Sequence, residues 1–81
     1  MKSAEQTRVD LLAALAQLSR IRPDWRLGQT LANLATTAGR LDAGGVWDLE
    51  DEEALDAAKI LIEQHSQAQR AVEKQLAAAI G

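Results

Sequence analysis

Residues 47–81 read WDLEDEEALDAAKILIEQHSQAQRAVEKQLAAAIG, with no proline and no glycine before the last position. A set of apolar, small and polar residues recurs in this segment at alternating spacings of three and four, which is the period of one helix face. A half-buried strand would instead alternate at every second residue. The segment therefore predicts a single helix over residues 49–80. Its stripe consists of Leu55, Ala58, Ile62, His65, Gln69, Val72, Leu76 and Ala79.

Acidic residues precede this helix and fill its first turn. We expect Asp48 to be the N-cap, followed by Asp51, Glu52 and Glu53 where the helix dipole favours negative charge. At about 1.5 Å per residue the helix would be roughly 45 Å long, whereas the two helices predicted upstream would be only about 22–26 Å long. Part of the stripe should therefore extend beyond its neighbours, unless they lie end to end along it.

Two shorter helices are predicted upstream. The first spans about residues 3–19, where Ser3 and Gln6 have capping-box spacing, and the second spans about residues 23–38, with Gly39 just after its end. Pro23 separates them, because proline disfavours helix at the residue before it. The expected core faces are Val9, Leu11, Leu12, Leu15 and Leu18 in the first helix and Leu27, Leu31, Leu34 and Ala38 in the second.

The connection at residues 39–47 combines flexibility with apolar side chains. It contains Gly44–Gly45 but also Leu41, Val46 and Trp47, so it is too apolar for a free linker. We expect it to fold back over the helices and to bury most of Trp47.

Gly28 lies inside the second predicted helix, where glycine costs about 1 kcal/mol relative to alanine. A close approach by another element would explain it, and Trp47 is the expected neighbour. Trp25 is expected to be partly buried at the start of the same helix.

Size and composition indicate one small domain. The 81 residues include no cysteine, phenylalanine or tyrosine and only two tryptophans, so the core must be built from Leu, Ile, Val and Ala. A chain of this size buries a core worth roughly 3–5 kcal/mol. We predict an all-α domain over residues 1–81, in which a helical hairpin packs on a long C-terminal helix as a three-helix bundle, completed by a second copy.

Charge is distributed unevenly along the chain. The net charge of −3 combines +3 over residues 1–40 with −6 over residues 41–81. The halves should attract each other within the fold, and we expect Arg22 or Arg26 to pair with the acidic residues 48–56. No run of eighteen apolar residues is present, so we expect no membrane span and a cytoplasmic location.

Residues 20–56 contain a combination of residues that resembles a pattern in other proteins. The run Pro23-Asp24-Trp25-Arg26-Leu27-Gly28-Gln29, followed by Asn33-Leu34 and by the acidic segment from Trp47 to Leu55, resembles a pattern of small bacterial proteins without an established activity. The resemblance implies that Arg26, Gln29 and the acidic segment are linked features, and it implies no function.

Six carboxylates form the densest charge cluster, which we call the acidic head. Helix-start electrostatics and solvation are its favoured explanation. The alternative is an acidic inhibitor or antitoxin-like regulator that binds a basic protein partner through residues 48–56. A divalent-metal site is less favoured, because the spacing does not match an EF-hand loop, and we predict no metal and no cofactor. The acidic head comprises Asp48, Glu50, Asp51, Glu52, Glu53 and Asp56.

Four arginines, which we call the basic patch, surround the ends of the second helix. Salt bridges to the acidic head are the favoured explanation, and DNA binding is the alternative. Ala35 and Gly39, followed by Leu41, have the small-residue spacing of a helix-turn-helix. The segment that would serve as recognition helix contains Gly44–Gly45 and then becomes acidic, so nucleic acid is disfavoured as a partner. The basic patch comprises Arg20, Arg22, Arg26 and Arg40.

No catalytic or cofactor motif is evident in the sequence. His65 is the only histidine and has no cysteine beside it, so we interpret it as a packed or interface histidine, bonded to Gln69. The sequence predicts a non-enzymatic helical interaction module that self-associates, with a dimer favoured. The predicted interface residues are Ile62, His65, Gln69, Val72, Leu76 and Ile80.

Overall fold

The computed structural model describes residues 2–42 and 44–80, and of residues 78–80 it describes the backbone alone. The described chain is all-helical, with α1 at Ala4–Ile21, α2 at Leu27–Thr37 and α3 at Asp51–Ile80. Helices α1 and α2 both pack on α3, which confirms the prediction of a three-helix bundle built on a long C-terminal helix. None of the described helices combines the length and the hydropathy required to cross a bilayer.

Helix α1 runs parallel to α3. Near the start of α1, the Arg8 guanidinium lies 2.7 Å from the carboxylate of Asp51, the first residue of α3. At the end of α1, the Ile21 carbonyl accepts a hydrogen bond of 2.7 Å from the side chain of Gln69. The two helices therefore begin side by side, and α3 continues after α1 has ended.

Helix α2 runs antiparallel to the other two. Just before α2 begins, the Trp25 ring contacts the ring of His65, with centroids 5.1 Å apart. Just after α2 ends, Arg40 reaches Glu53 in the first turn of α3, with Nη2 and Oε1 2.7 Å apart. The chain thus goes up along α1, down along α2 and up again along α3.

The core lies where α1 and α2 meet one face of α3. Alanine at several of these positions lets the helices approach closely, while Leu18 and Leu34 are the largest side chains that are completely buried. The buried residues are Thr7, Leu11, Ala14 and Leu18 in α1, Thr30, Leu34 and Ala35 in α2, and Ala54, Leu55, Ala57, Ala58 and Leu61 in α3. Leu15, Leu31, Ala38 and Ile62 are partly buried against them.

The predicted core faces were wrong at three positions. Val9, Leu12 and Leu27 are more than half exposed. Helix α1 packs closely only on α3, so only a narrow strip of its surface is buried. We call this strip the seam; it contains Thr7, Leu11, Ala14 and Leu18, and Val9 and Leu12 lie outside it. Thr7 occupies a seam position at no polar cost, since its hydroxyl donates to the Ser3 carbonyl at 3.2 Å.

The start of α1 confirms the predicted cap, whereas α2 begins later than predicted. The Ser3 hydroxyl oxygen accepts a hydrogen bond of 3.1 Å from the Gln6 backbone N–H. Helix α2 begins at Leu27 because a turn occupies the preceding residues. In that turn the Trp25 N–H donates to the Arg22 carbonyl at 3.2 Å.

Helix α3 also begins later than predicted, and Asp48 is not its N-cap. Asp48 belongs to a turn in which its N–H donates to the Gly44 carbonyl at 3.1 Å. The helix starts at Asp51 instead. The Glu53 carboxylate accepts a hydrogen bond of 3.3 Å from the Glu50 N–H, which is the reciprocal half of a capping box.

The structure explains why glycine occupies positions 39 and 45. Gly39 follows α2 with φ of +89°, which confirms it as the residue after the helix end. A Cβ on Gly45 would lie 2.7 Å from the Arg40 carbonyl oxygen, so this position requires glycine. At Gly28 no atom of another element lies within 4 Å of such a Cβ, and the predicted close approach there is wrong.

The two tryptophans differ in their surroundings. Trp25 is partly buried against the core, as predicted. Trp47 is 92% exposed, so the prediction that it is buried was wrong. The connection turns on itself, since the Gly45 N–H donates to the Asp42 carbonyl at 3.0 Å. Its apolar side chains, Leu41, Val46 and Trp47, are exposed rather than packed over the helices.

Candidate interaction surface

Helix α3 extends well beyond the rest of the bundle. Its 30 residues correspond to about 45 Å, whereas the 18 residues of α1 correspond to about 27 Å. We call the part beyond Gln69, residues 70–80, the overhang. All of its described side chains, at residues 70–77, are exposed. The bundle is accordingly elongated, with a longest dimension of 48 Å.

The overhang continues the core stripe of α3 into solvent. Val72 is 55% exposed and Leu76 is 57% exposed, although both lie on the same helix face as Ala58 and Leu61 in the core. Of the predicted interface residues, these two therefore offer a free apolar surface. Ile80 belongs to α3 by its backbone, but its side chain lies outside the described residues.

A shallow groove of about 300 Å³ marks the base of the overhang. One wall is Arg22, at the end of α1, and the other walls come from α3 itself. The groove thus joins the polar end of α1 to the first large apolar residue of the overhang, Val72. Its lining residues are Arg22, His65, Ala68, Gln69, Val72 and Glu73.

Arg22 is the centre of a side-chain cluster at this base. Its guanidinium lies 4.7 Å from the centre of the Trp25 ring and binds the Asp24 carboxylate through two hydrogen bonds, of 3.0 Å and 2.7 Å. Its Nη1 atom is also 3.3 Å from Nδ1 of His65. The hydrogen bonds from Arg22 lower the pKa of the Asp24 carboxyl below its usual range.

His65 and Gln69 bond to residues at the end of α1 and not to each other. The predicted bond between them is replaced by two others, from Arg22 to His65 and from Gln69 to the Ile21 carbonyl. Ile62 is partly buried against the core. His65 and Gln69, the polar residues of the stripe, therefore lie where α1 ends. A change from apolar to polar residues within the stripe could have indicated from the sequence where α1 ends, and we did not interpret it in that way.

The acidic head is partly neutralised by Arg8 and by Arg40, but not by Arg22 or Arg26. The prediction that the basic patch forms salt bridges to the head is confirmed for Arg40. Asp51 pairs with Arg8, and Glu53 pairs with Arg40, each at 2.7 Å. Within the described chain the remaining carboxylates of the head, Asp48, Glu50, Glu52 and Asp56, form no ion pair. A groove of about 680 Å³ beside the head carries both signs of charge, since Lys2 and Arg8 line it together with the carboxylates.

The basic patch does not form one surface. Arg22 lies before α2 and binds Asp24, whereas Arg40 lies after α2 and binds Glu53. Among residues 2–42 and 44–80, neither Arg20 nor Arg26 forms an ion pair. The helix-turn-helix interpretation fails as well, because the described part of residues 41–50 forms bends and turns instead of a recognition helix.

Metal binding has no support from side-chain geometry in the described residues. No three carboxylate or imidazole groups there are grouped as an ion site would require. Asp48, Glu50 and Glu52, which alternate along the chain as the ligands of an oxygen-lined loop can, extend from a turn into the start of α3.

We expect Arg40 to control the titration of Glu53. The hydrogen bonds from Arg40 lower the pKa of the Glu53 carboxyl. A lowered folded-state pKa means that the pair stabilises the fold above the unfolded-state value of about 4.3, and that this contribution is lost as the pH falls through the folded-state value. In Arg40→Gln, the Glu53 midpoint followed by carboxyl carbon NMR should rise towards its usual value. Arg20→Gln is the matched control and should leave the midpoint unchanged. An unchanged midpoint in Arg40→Gln would contradict the pairing.

Comparisons of the chain with protein-family models, with curated proteins and with solved structures found no match. These comparisons therefore assign no family to residues 20–56, which resemble small bacterial proteins. Any function has to be inferred from the side chains and their arrangement.

Proposed function

We propose that this chain is a non-enzymatic helical interaction module that associates with a second copy of itself through the overhang of α3. The observation that carries the proposal is the exposure of Val72 and Leu76 on the face that forms the core further up the helix. Complete burial of one such side chain contributes about 1.5–3 kcal/mol. With about half of each already covered, a partner would gain on the order of 1 kcal/mol per residue.

The size of the overhang indicates how much more a partner must cover. Eleven helical residues are about 16 Å long and about 10–12 Å wide. Their footprint, below about 200 Å², is well short of the roughly 800 Å² per partner in a stable interface. Pairing of the overhangs alone would therefore be weak.

The base of the overhang supplies further surface. The groove leads from Val72 to Arg22, and α2 begins at Leu27, two residues after Trp25, which contacts His65. Leu27 is 63% exposed. A second copy of α3 that lies along the overhang and continues over this base would cover Val72, Leu76 and the groove, and the exposed Leu27 lies at the start of the neighbouring helix. We expect a weak dimer with a dissociation constant of about 0.5 mM, because the interface is small.

Leu76→Asp should abolish this association, because a carboxylate buried in an apolar seam without a partner is costly. Sedimentation equilibrium from about 10 µM to about 1 mM should give the wild-type chain a concentration-dependent mass above its monomer mass of 8.7 kDa, and should give Leu76→Asp the monomer mass throughout. The dissociation constant of Leu76→Asp should rise at least about tenfold, to well above the highest concentration measured.

Ala71→Asp is the matched control. It adds the same charge to an exposed position on the overhang, but outside the apolar stripe. This variant should associate like the wild-type chain. The proposal is wrong if the wild-type mass stays at 8.7 kDa at the highest concentration, or if both aspartate variants weaken association equally.

The acidic regulator is retained as a second candidate, because four carboxylates of the head have no ion pair in the described chain. Three of them, Asp48, Glu50 and Glu52, line a groove together with the exposed Trp47. Such a surface would bind a basic protein, and its affinity would fall with added salt. Self-association through the overhang would tolerate salt, because it rests on apolar contact. Repeating the sedimentation experiment with and without an added basic protein, at about 0.1 M and about 1 M salt, separates the two modes, since screening lengths are about 10 Å and 3 Å.

A further inference from the structure

The contact between Arg22 and His65 joins the end of α1 to α3. Nη1 of Arg22 is 3.3 Å from Nδ1 of His65. A guanidinium carries only hydrogen-bond donors and keeps its charge at all ordinary pH values. Nδ1 must therefore be the acceptor, so the imidazole that fits this contact is neutral and carries its proton on Nε2.

The surroundings leave the guanidinium little freedom to move away. Its Nε and Nη2 atoms donate to the two carboxylate oxygens of Asp24, at 3.0 Å and 2.7 Å. One of its faces lies 4.7 Å from the centre of the Trp25 ring. The same ring meets His65 edge-on, at an interplanar angle of 82°. Asp24 and Trp25 thus hold Arg22 against the imidazole.

The charged groups around His65 come from two elements. Arg22 and Asp24 belong to the end of α1 and the connection after it, while Glu73 shares the groove from α3. Both oxygens of Asp24 are already engaged by Arg22. The group in direct contact with His65 is therefore a cation, and a proton on Nδ1 would place N–H against N–H and positive charge against positive charge.

We propose that protonation of His65 opens the junction between α1 and α3, so that the end of α1 is held at neutral pH and released in mild acid. The closed junction holds one proton fewer than the open one, and it is therefore lost as the pH falls. Opening would also remove the Arg22 wall of the groove and free Gln69 from Ile21. This junction forms within one chain and does not depend on self-association.

The test compares urea unfolding of the wild-type chain with that of His65→Gln, at a concentration of about 5 µM to limit association. The glutamine amide oxygen can accept the bond from Arg22 and does not titrate, so this variant should keep the junction closed. From about pH 7.5 to about pH 5.5, we expect the unfolding equilibrium constant of the wild-type chain to rise about fivefold to tenfold relative to that of His65→Gln. His65 is the only histidine, so no other histidine contributes in this range.

Arg22→Gln tests the cause. It retains His65 and removes the cation, and we expect it to lose most of the acid sensitivity. Amide exchange of the wild-type chain gives an independent measurement, because the Arg22 N–H bonds to the Leu18 carbonyl at 2.8 Å and should lose protection in acid, after correction for intrinsic rates. Equal acid sensitivity in His65→Gln, full acid sensitivity in Arg22→Gln, or unchanged protection at Arg22 would each overturn the proposal.

Discussion

Leu18→Ala is expected to lower the free energy of unfolding by about 3–5 kcal/mol, in the upper part of the range for buried leucines. Leu18 is completely buried and lies in the α1–α3 seam near the end of α1. Its loss leaves a cavity between two helices that are held apart by neighbouring residues. Because a domain of this size has only about 3–5 kcal/mol available from its core, we expect the variant to be largely unfolded at 25 °C. Urea denaturation followed by far-ultraviolet circular dichroism would measure the loss.

Leu12→Ala is the control for this prediction. It makes the same chemical change in the same helix, but at a side chain that is 58% exposed. We expect it to cost less than about 1 kcal/mol, since little apolar area is lost and no cavity forms. Equal losses in the two variants would contradict the packing of α1 against α3 through the seam that contains Leu18.

Ala58→Leu is expected to destabilise the bundle by overpacking. Ala58 is completely buried on the face of α3 where the core is formed, and the alanines around it, Ala54 and Ala57, are buried too. The larger side chain would push apart helices that approach closely only because these positions are small. The expected cost is about 1–3 kcal/mol. For a chain of this length each 1 kcal/mol lowers the melting temperature by about 4–8 °C, which thermal unfolding would detect.

Ala71→Leu separates packing from helix propensity. It places the same substitution in the same helix at an exposed position, where leucine and alanine have similar helix propensities. Its melting temperature should be within a few degrees of the wild-type value, measured at low concentration. A variant at Ala58 that melts at the wild-type temperature would show that α3 is not enclosed at that position.

The features predicted correctly from sequence are those set by residues close together in the chain. The Ser3 cap depends on a residue three positions later, and the conformation of Gly39 depends on where α2 ends. The length of α3 follows from a period that runs without interruption. The mismatch between this length and that of α1 also predicted that part of the stripe would extend beyond its neighbours.

The core face of α1 could not be chosen in the same way. Its leucines and valine surround more of the helix than one neighbour can cover, and hydrophobicity gives no rule for which ones a single partner covers. The seam includes Thr7 and Ala14, while Val9 and Leu12 remain outside. The prediction for Trp47 was wrong for a related reason. The size of the side chain indicates that burial would stabilise the fold, but it does not show whether another part of the chain offers a surface for it to pack on.

The ion pairs of the acidic head could be predicted only if the directions of the helices were known. Opposite net charges of the two halves correctly suggested attraction, yet the partners of the acidic head are Arg8 and Arg40 rather than Arg22 or Arg26. With α1 parallel to α3, the start of α1 meets the head and Arg22 meets the opposite end of the covered region. Neither composition nor spacing specifies that direction.

The parallel arrangement of α1 and α3 affects how the protein folds as it is synthesised. Arg8 and Arg22 each contact residues 43 positions later, and Ile21 contacts a residue 48 positions later. Until α3 has been translated, α1 and α2 have no surface on which to pack, and α2, at 11 residues, is too short to be a stable helix alone. Folding therefore waits for the final third of the chain, and the leucines of the first two helices stay accessible to chaperones until then.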